Sequence, residues 1–89
     1  MTAVDGLVGG RVQGVGFRWF AKRVADELGV AGWVRNLPDG RVAFHAEGPD
    51  DQVAAFVARL RRGPAAATVT EVSVVPAEPE GTGGFSIRY

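Results

Sequence analysis

Gly10-Arg11-Val12-Gln13-Gly14-Val15-Gly16-Phe17-Arg18 joins an extended segment to a run in which Phe17, Phe20, Ala21, Val24 and Leu28 recur at helical spacing. It therefore reads as a glycine-rich turn from a strand into a helix. Its glycines let the backbone take positive φ and approach a ligand closely. Successive N–H groups of such a turn point inward as an anion-binding nest, and the helix start adds the positive end of its dipole. Arg18 carries a planar fork of donors that fits two oxygens of one phosphoryl group. A glycine-rich connection alone is commonly just a tight turn. Arg18 is what directs this one toward an anion.

Two better-known phosphate loops are excluded. The dinucleotide fingerprint requires three glycines at a fixed spacing that this segment lacks. Gly9 and Gly14 have the spacing of the nucleotide P-loop, but Val15 and Gly16 stand where Lys and Ser/Thr are required. The phosphoryl group implied here is small, free of metal and gripped by arginine.

Outward from this turn, the preceding strand runs from Val4 to Val12 and is weakened by Gly6, Gly9 and Gly10, so its pairing must come from its neighbours. The helix ends at Gly29. Ala31 to Leu37 reads as a second strand, Pro38-Asp39-Gly40 as a turn, and Arg41 to Glu47 as the antiparallel return, with Val42, Phe44 and Ala46 on one face. Pro49, Asp50 and Asp51 open a second helix that buries Val53, Phe56, Val57 and Leu60 and closes at Arg61-Arg62-Gly63-Pro64. In the fourth strand, Thr68 to Val75, Val69 is out of phase with Val72 and Val74, which places a bulge near Thr70-Glu71. Pro76 to Gly84 reads as a polar, flexible loop, and Phe85, Ile87 and Tyr89 as a short strand anchoring the C-terminus. The pattern predicts an α+β, ferredoxin-like βαββαβ sandwich over residues 1–89: an antiparallel sheet with two helices on one face, plus a short C-terminal strand.

Composition narrows the function. A chain of 89 residues with 46% hydrophobic residues builds one core and one domain. It has no cysteine, hence no disulfide framework or thiolate metal site. No apolar run reaches transmembrane length and the first residues lack a signal pattern, so a cytoplasmic location without membrane association is expected. Ten basic and ten acidic residues cancel, which argues against nucleic-acid binding. His45 is the only histidine. With no Cys and one His, neither a Ser-His-Asp nor a Cys-His arrangement exists, and no metal-ligand spacing is recognisable. By strand parity His45 lies opposite the Val42 side and reads as a surface residue, whereas Trp19 and Trp33 read as packing residues.

A second constellation is Gly32-Trp33-Val34-Arg35-Asn36, followed by Leu37-Pro38-Asp39-Gly40. Alone, an Asn before such a turn is a turn residue. Both segments, however, resemble the signatures of the acylphosphatase family. The likeness extends through Asp39-Gly40-Arg41-Val42, Ala46-Glu47-Gly48-Pro49, the Arg-Arg-Gly-Pro helix end and Gly84-Phe85-Ser86-Ile87-Arg88-Tyr89. The resemblance implies metal-independent hydrolysis of an acyl phosphate to a carboxylate and inorganic phosphate by a monomer needing no cofactor. It implies that Gly14, Val15, Gly16, Phe17 and Arg18 hold the phosphoryl group and that Asn36 positions the water, so that Arg18 and Asn36 are the catalytic residues. Breaking a mixed anhydride whose leaving group is a weakly basic carboxylate needs no strong general acid, which suits so sparse a set of groups. Two rivals stand beside this: a non-catalytic anion-binding module, and a carbamoyl-phosphate-handling domain of a larger maturation enzyme. No cysteine-rich segment follows Tyr89, so a stand-alone enzyme is expected.

Overall fold

The computed structural model describes residues 1–89 as β1 (Thr2–Arg11), α1 (Phe17–Leu28), β2 (Ala31–Asn36), β3 (Val42–Gly48), α2 (Asp50–Arg62), β4 (Thr68–Pro76) and β5 (Phe85–Arg88). The sheet order is β4-β1-β3-β2-β5. β1 pairs antiparallel with β3 and β4, and β2 antiparallel with β3, which is the expected ferredoxin-like arrangement. β5 joins the outer edge of β2 in parallel, so the complete sheet is mixed. Val8, Val34, Val42, Phe44 and Ala46 form the core with Phe17, Ala21 and Val24 of α1 and Val53, Phe56 and Leu60 of α2. No helix is long and apolar enough to cross a membrane.

The glycines of β1 are fitted to their neighbours. A Cβ on Gly6 would lie 2.2 Å from the Phe44 ring, which fills that space and packs edge-on against Phe56. The bulge falls where parity placed it. Gly9 pairs with Glu71 and Gly10 with Val69, so Thr70 is the extra residue. Gly10 has φ +120°, and a Cβ there would lie 2.2 Å from the carbonyl oxygen of Thr68. β1 thus lies between β3 and β4 from Val4 to Val8, and its last residues, Gly9 to Arg11, pair with β4 alone through the bulge before the chain enters the glycine-rich loop.

Four expectations need correction. His45 is fully buried rather than at the surface: its face of the sheet lacks a helix, but Trp33 and the segment around Glu80 cover it. Trp19 is 63% exposed and packs into no core, because its place in the first turn of α1 points it outward. Trp33, by contrast, packs as expected, half-buried and stacked on His45 with Arg35 and Arg88 over its ring. Tyr89 is 92% exposed beyond the end of β5, so Phe85 and Ile87 alone anchor that strand. The segment Pro76–Gly84 is also tethered rather than loose. Ala77 N–H donates to Ala3 C=O, and Glu80, Gly81 and Thr82 N–H donate to the Glu47 carboxylate. The bond from the His45 ring and these backbone amides outweigh burial and hold the Glu47 carboxyl at about 2.

The two classes of glycine separate in a substitution test. Gly14→Ala has open space and bears only the left-handed backbone, about 1–2 kcal/mol. Gly10→Ala meets fixed backbone as well and is expected to cost roughly 3 kcal/mol or more in urea unfolding.

Candidate active site

The loop between β1 and α1 alternates between core and solvent. Val12 and Phe17 are buried and Val15 packs against the core, while Gly14 (φ +73°) and Gly16 (φ +78°) lie exposed between them. Gly16 caps α1 in the left-handed conformation with no side-chain hydrogen bond, and the first turn contains no acidic residue. The helical ladder begins with Phe20 N–H donating to Gly16 C=O at 3.0 Å. The N–H groups of Phe17, Arg18 and Trp19 therefore precede it and remain available to an anion. α2 differs: Asp50 and Asp51 occupy its first turn and complement its dipole internally.

Asn36 is the last residue of β2, paired with Val42. Gln13 fixes its distance from the loop. Gln13 Nε2 donates to Leu37 C=O at 2.7 Å and Arg41 C=O at 2.9 Å, stitching the glycine-rich loop to the β2–β3 turn. One concavity of about 180 Å³ results, lined by Val12, Gly14, Gly16, Phe17, Arg18, Trp19 and Asn36. Asn36 Oδ1 is buried there without a hydrogen-bond partner. A buried amide oxygen in that condition is an acceptor awaiting a donor. Arg18 is held from behind by the C-terminal segment: Nη1 donates to Arg88 C=O at 3.5 Å, and Cζ lies 4.7 Å from the Tyr89 ring centre. No carboxylate or imidazole lines the concavity. A larger hollow of about 500 Å³ at the start of α2 contains Asp50 and Asp51, whose charge repels an anion.

The fold therefore brings Gly14, Gly16, Phe17, Arg18 and Asn36 to one place, and it turns the Val15 side chain into the core, leaving only its backbone to the loop. Sequence reasoning missed two residues. Gln13 lies inside the signature, and its amide, a double donor in a loop otherwise made of Gly and Val, was the available signal. Trp19 lies at the edge of the concavity, two residues after Phe17, where helical spacing excludes it from the buried stripe.

The concavity, bearing one arginine and no carboxylate, lies between the first βα turn and the end of the second strand of a ferredoxin-like sandwich. The acylphosphatase family model matches residues 4–87. An acylphosphatase of Nocardioides sp. is 54% identical over 98% of this chain and 88% of its own. The crystal structure of the Bacillus subtilis acylphosphatase superposes with a TM-score of 0.96 at 44% identity, covering 100% of both chains. T. kodakarensis HypF matches at a TM-score of 0.87 and 32% identity, covering 100% of this chain but 12% of that one. The chain belongs to the acylphosphatase family and is a hydrolase of acyl phosphates.

Gln13→Ala removes both bonds of the stitch. It is expected to lower stability by about 1–3 kcal/mol in urea unfolding. It should also lower kcat/KM on benzoyl phosphate, because the loop and Asn36 then move independently.

Proposed function

We propose that the backbone amides of Gly14, Val15, Gly16 and Phe17, together with Arg18, hold the phosphoryl oxygens of an acyl phosphate while Asn36 holds the attacking water, with no metal ion and no phosphoenzyme. The observation that carries this reading is the unpartnered, buried Oδ1 of Asn36 in the same concavity as Arg18 and the free amides of α1. Oδ1 accepts a hydrogen bond from the water and so aims its oxygen lone pair at phosphorus. The new P–O bond forms as the bond to the acyl oxygen breaks. The carboxylate leaves with that electron pair, and the water proton passes to a phosphate oxygen. Arg18 and the amides neutralise the charge that spreads over the equatorial oxygens. The lining supplies neither a general acid nor metal ligands, and a carboxylate leaving group calls for neither.

Trp19 extends the reading to the acyl side. Its ring is a large exposed apolar surface that lines the concavity itself, so it offers a platform to an aromatic or aliphatic acyl group outside the phosphate cradle. Arg18 lies instead against the C-terminal segment, beside the Arg88 carbonyl and the Tyr89 ring.

Three measurements test these roles on benzoyl phosphate. Asn36→Ala is expected to lower kcat by about 100–1,000-fold while leaving competitive inhibition by inorganic phosphate nearly unchanged. Equal loss of both means that Asn36 shapes the cradle instead of holding water. Arg18→Lys, which keeps the charge but loses the fork, is expected to weaken phosphate inhibition as well as kcat. Turnover is expected to persist in excess EDTA; collapse in EDTA with recovery on adding a divalent cation overturns the metal-free mechanism.

A further inference from the structure

The sheet face opposite the helices buries one side chain that the chemistry above does not use. His45 is fully buried, and both of its ring nitrogens face carboxylates. Nε2 lies 2.9 Å from Glu47 Oε2, whereas Nδ1 lies 2.7 Å from Asp5 Oδ1 and 3.7 Å from Glu80 Oε2. Both contacts are of hydrogen-bond length, so the ring meets both sides only as an imidazolium donating through each nitrogen, and one positive charge then faces three carboxylates. Glu47 is the settled partner, because its carboxylate also accepts the N–H groups of Glu80, Gly81 and Thr82. On the Nδ1 side, two carboxylates converge on one nitrogen, an excess of negative charge that a single proton leaves uncompensated. Arg35 and Arg88 do not relieve it. Their guanidinium groups stack on Trp33, 5.5 and 4.9 Å from its ring centre, and form no ion pair with Asp5 or Glu80.

The surrounding groups are arranged as they are around a metal ligand. Ligating histidines characteristically donate their second ring N–H to a carboxylate, which fixes the tautomer and the ring plane. Glu47 is placed to do this for His45, while Nδ1, 2.7 Å from Asp5 Oδ1 and facing Glu80, carries the proton that a cation there would displace. Trp33 Nε1 donates to Glu80 Oε1 at 3.1 Å, which turns Oε2 toward His45, and the Trp33 ring stacks on the imidazole at 6.3 Å with 20° between planes. Asp5 sits directly opposite His45 in the β1–β3 register. One ligand atom from each of Asp5, His45 and Glu80 lies within 4.8 Å of the others, and the two carboxylates are about half exposed, free to close on an ion.

We propose that Asp5, His45 and Glu80 bind one divalent transition cation of the zinc type, with water completing its coordination. The cation takes the place of the proton between Nδ1 and Asp5, which passes to buffer, and no redox change is involved. An imidazole ligand favours zinc over magnesium or calcium, which prefer all-oxygen sites. None of the three residues lines the phosphate concavity. The ion instead ties β1, β3 and the segment after β4 together.

The test titrates chelator-washed protein with Zn2+ at neutral pH by calorimetry, with Mg2+ in parallel. One equivalent of Zn2+ is expected to bind saturably, with Mg2+ far weaker. Asp5→Asn and Glu80→Gln each remove a half-exposed ligand and leave the core intact, which circular dichroism verifies; each is expected to weaken Zn2+ binding about tenfold or more. His45→Gln should abolish binding, and if it fails to fold the two carboxylate variants decide. Absence of saturable Zn2+ binding by the wild-type protein, equal binding of Mg2+, or affinity unchanged in both carboxylate variants overturns the site.

Discussion

Gly14 and Gly16 hold positive φ while Val12 and Phe17 stay in the core and Val15 packs against it, and the proposed phosphate-holding role of the loop depends on that conflict being met. The loop has to be fixed, or its amides would need ordering when substrate arrives. It also has to leave those amides unbonded, or the ligand would have nothing to bind. Anchoring by alternate apolar side chains satisfies the first demand without consuming a single N–H group. Left-handed glycines satisfy the second, because they turn the intervening peptides outward where any other residue would be strained.

The same demand explains the composition of β1. A strand that ends in such a loop must be held firmly by its neighbours, and β1 is flanked by β3 and β4 over Val4 to Val8 and held by β4 up to Arg11. Its glycines follow from close approach. Phe44 occupies the side-chain space of Gly6, and the Thr70 bulge brings the Thr68 carbonyl against Gly10. The bulge, one extra residue in β4 beside Gly9 and Gly10, increases the local twist where β1 runs past β3, and this bears on the direction in which the loop departs. Gln13 then locks that direction relative to Asn36. Four local choices, in β1, in β4, in the loop and in the β2–β3 turn, thereby fix one distance across the concavity.

The strands, both helices and the bulge were legible because each rests on a period: two for strands, 3.6 for helices, and a break in phase at Val69. Arg18 and Asn36 were legible only together, through a pair of segments that resemble one family, since either alone has a plainer reading. What escaped was set by long-range contacts. Parity put His45 on the helix-free face correctly, but its burial depends on Trp33 and on a segment some thirty residues later that Glu47 captures through backbone amides. Nothing in Pro76–Gly84 marks it as a cover, because its side of the contact is largely main chain. Trp19 and Tyr89 were misjudged for the converse reason. An aromatic residue is usually buried, but neither a first-turn position facing a concavity nor the last residue of the chain has a layer above it.

A formal net charge of zero conceals how the charges are sorted. The acids that matter are kept away from the phosphate loop: Asp50 and Asp51 stand at the start of α2, and Asp5, Glu47 and Glu80 gather around His45 on the opposite face of the sheet. The concavity is lined by one arginine and no carboxylate, and α1 begins without the acidic residues that usually neutralise a helix start. An anionic substrate thus meets a locally positive site on a chain that is neutral overall. The attraction is confined to about a Debye length and comes from fixed donors. That arrangement suits a small doubly charged phosphoryl group and gives little hold to an extended polyanion, which needs a continuous basic surface. Charge placement, more than charge balance, sets the local field at this concavity.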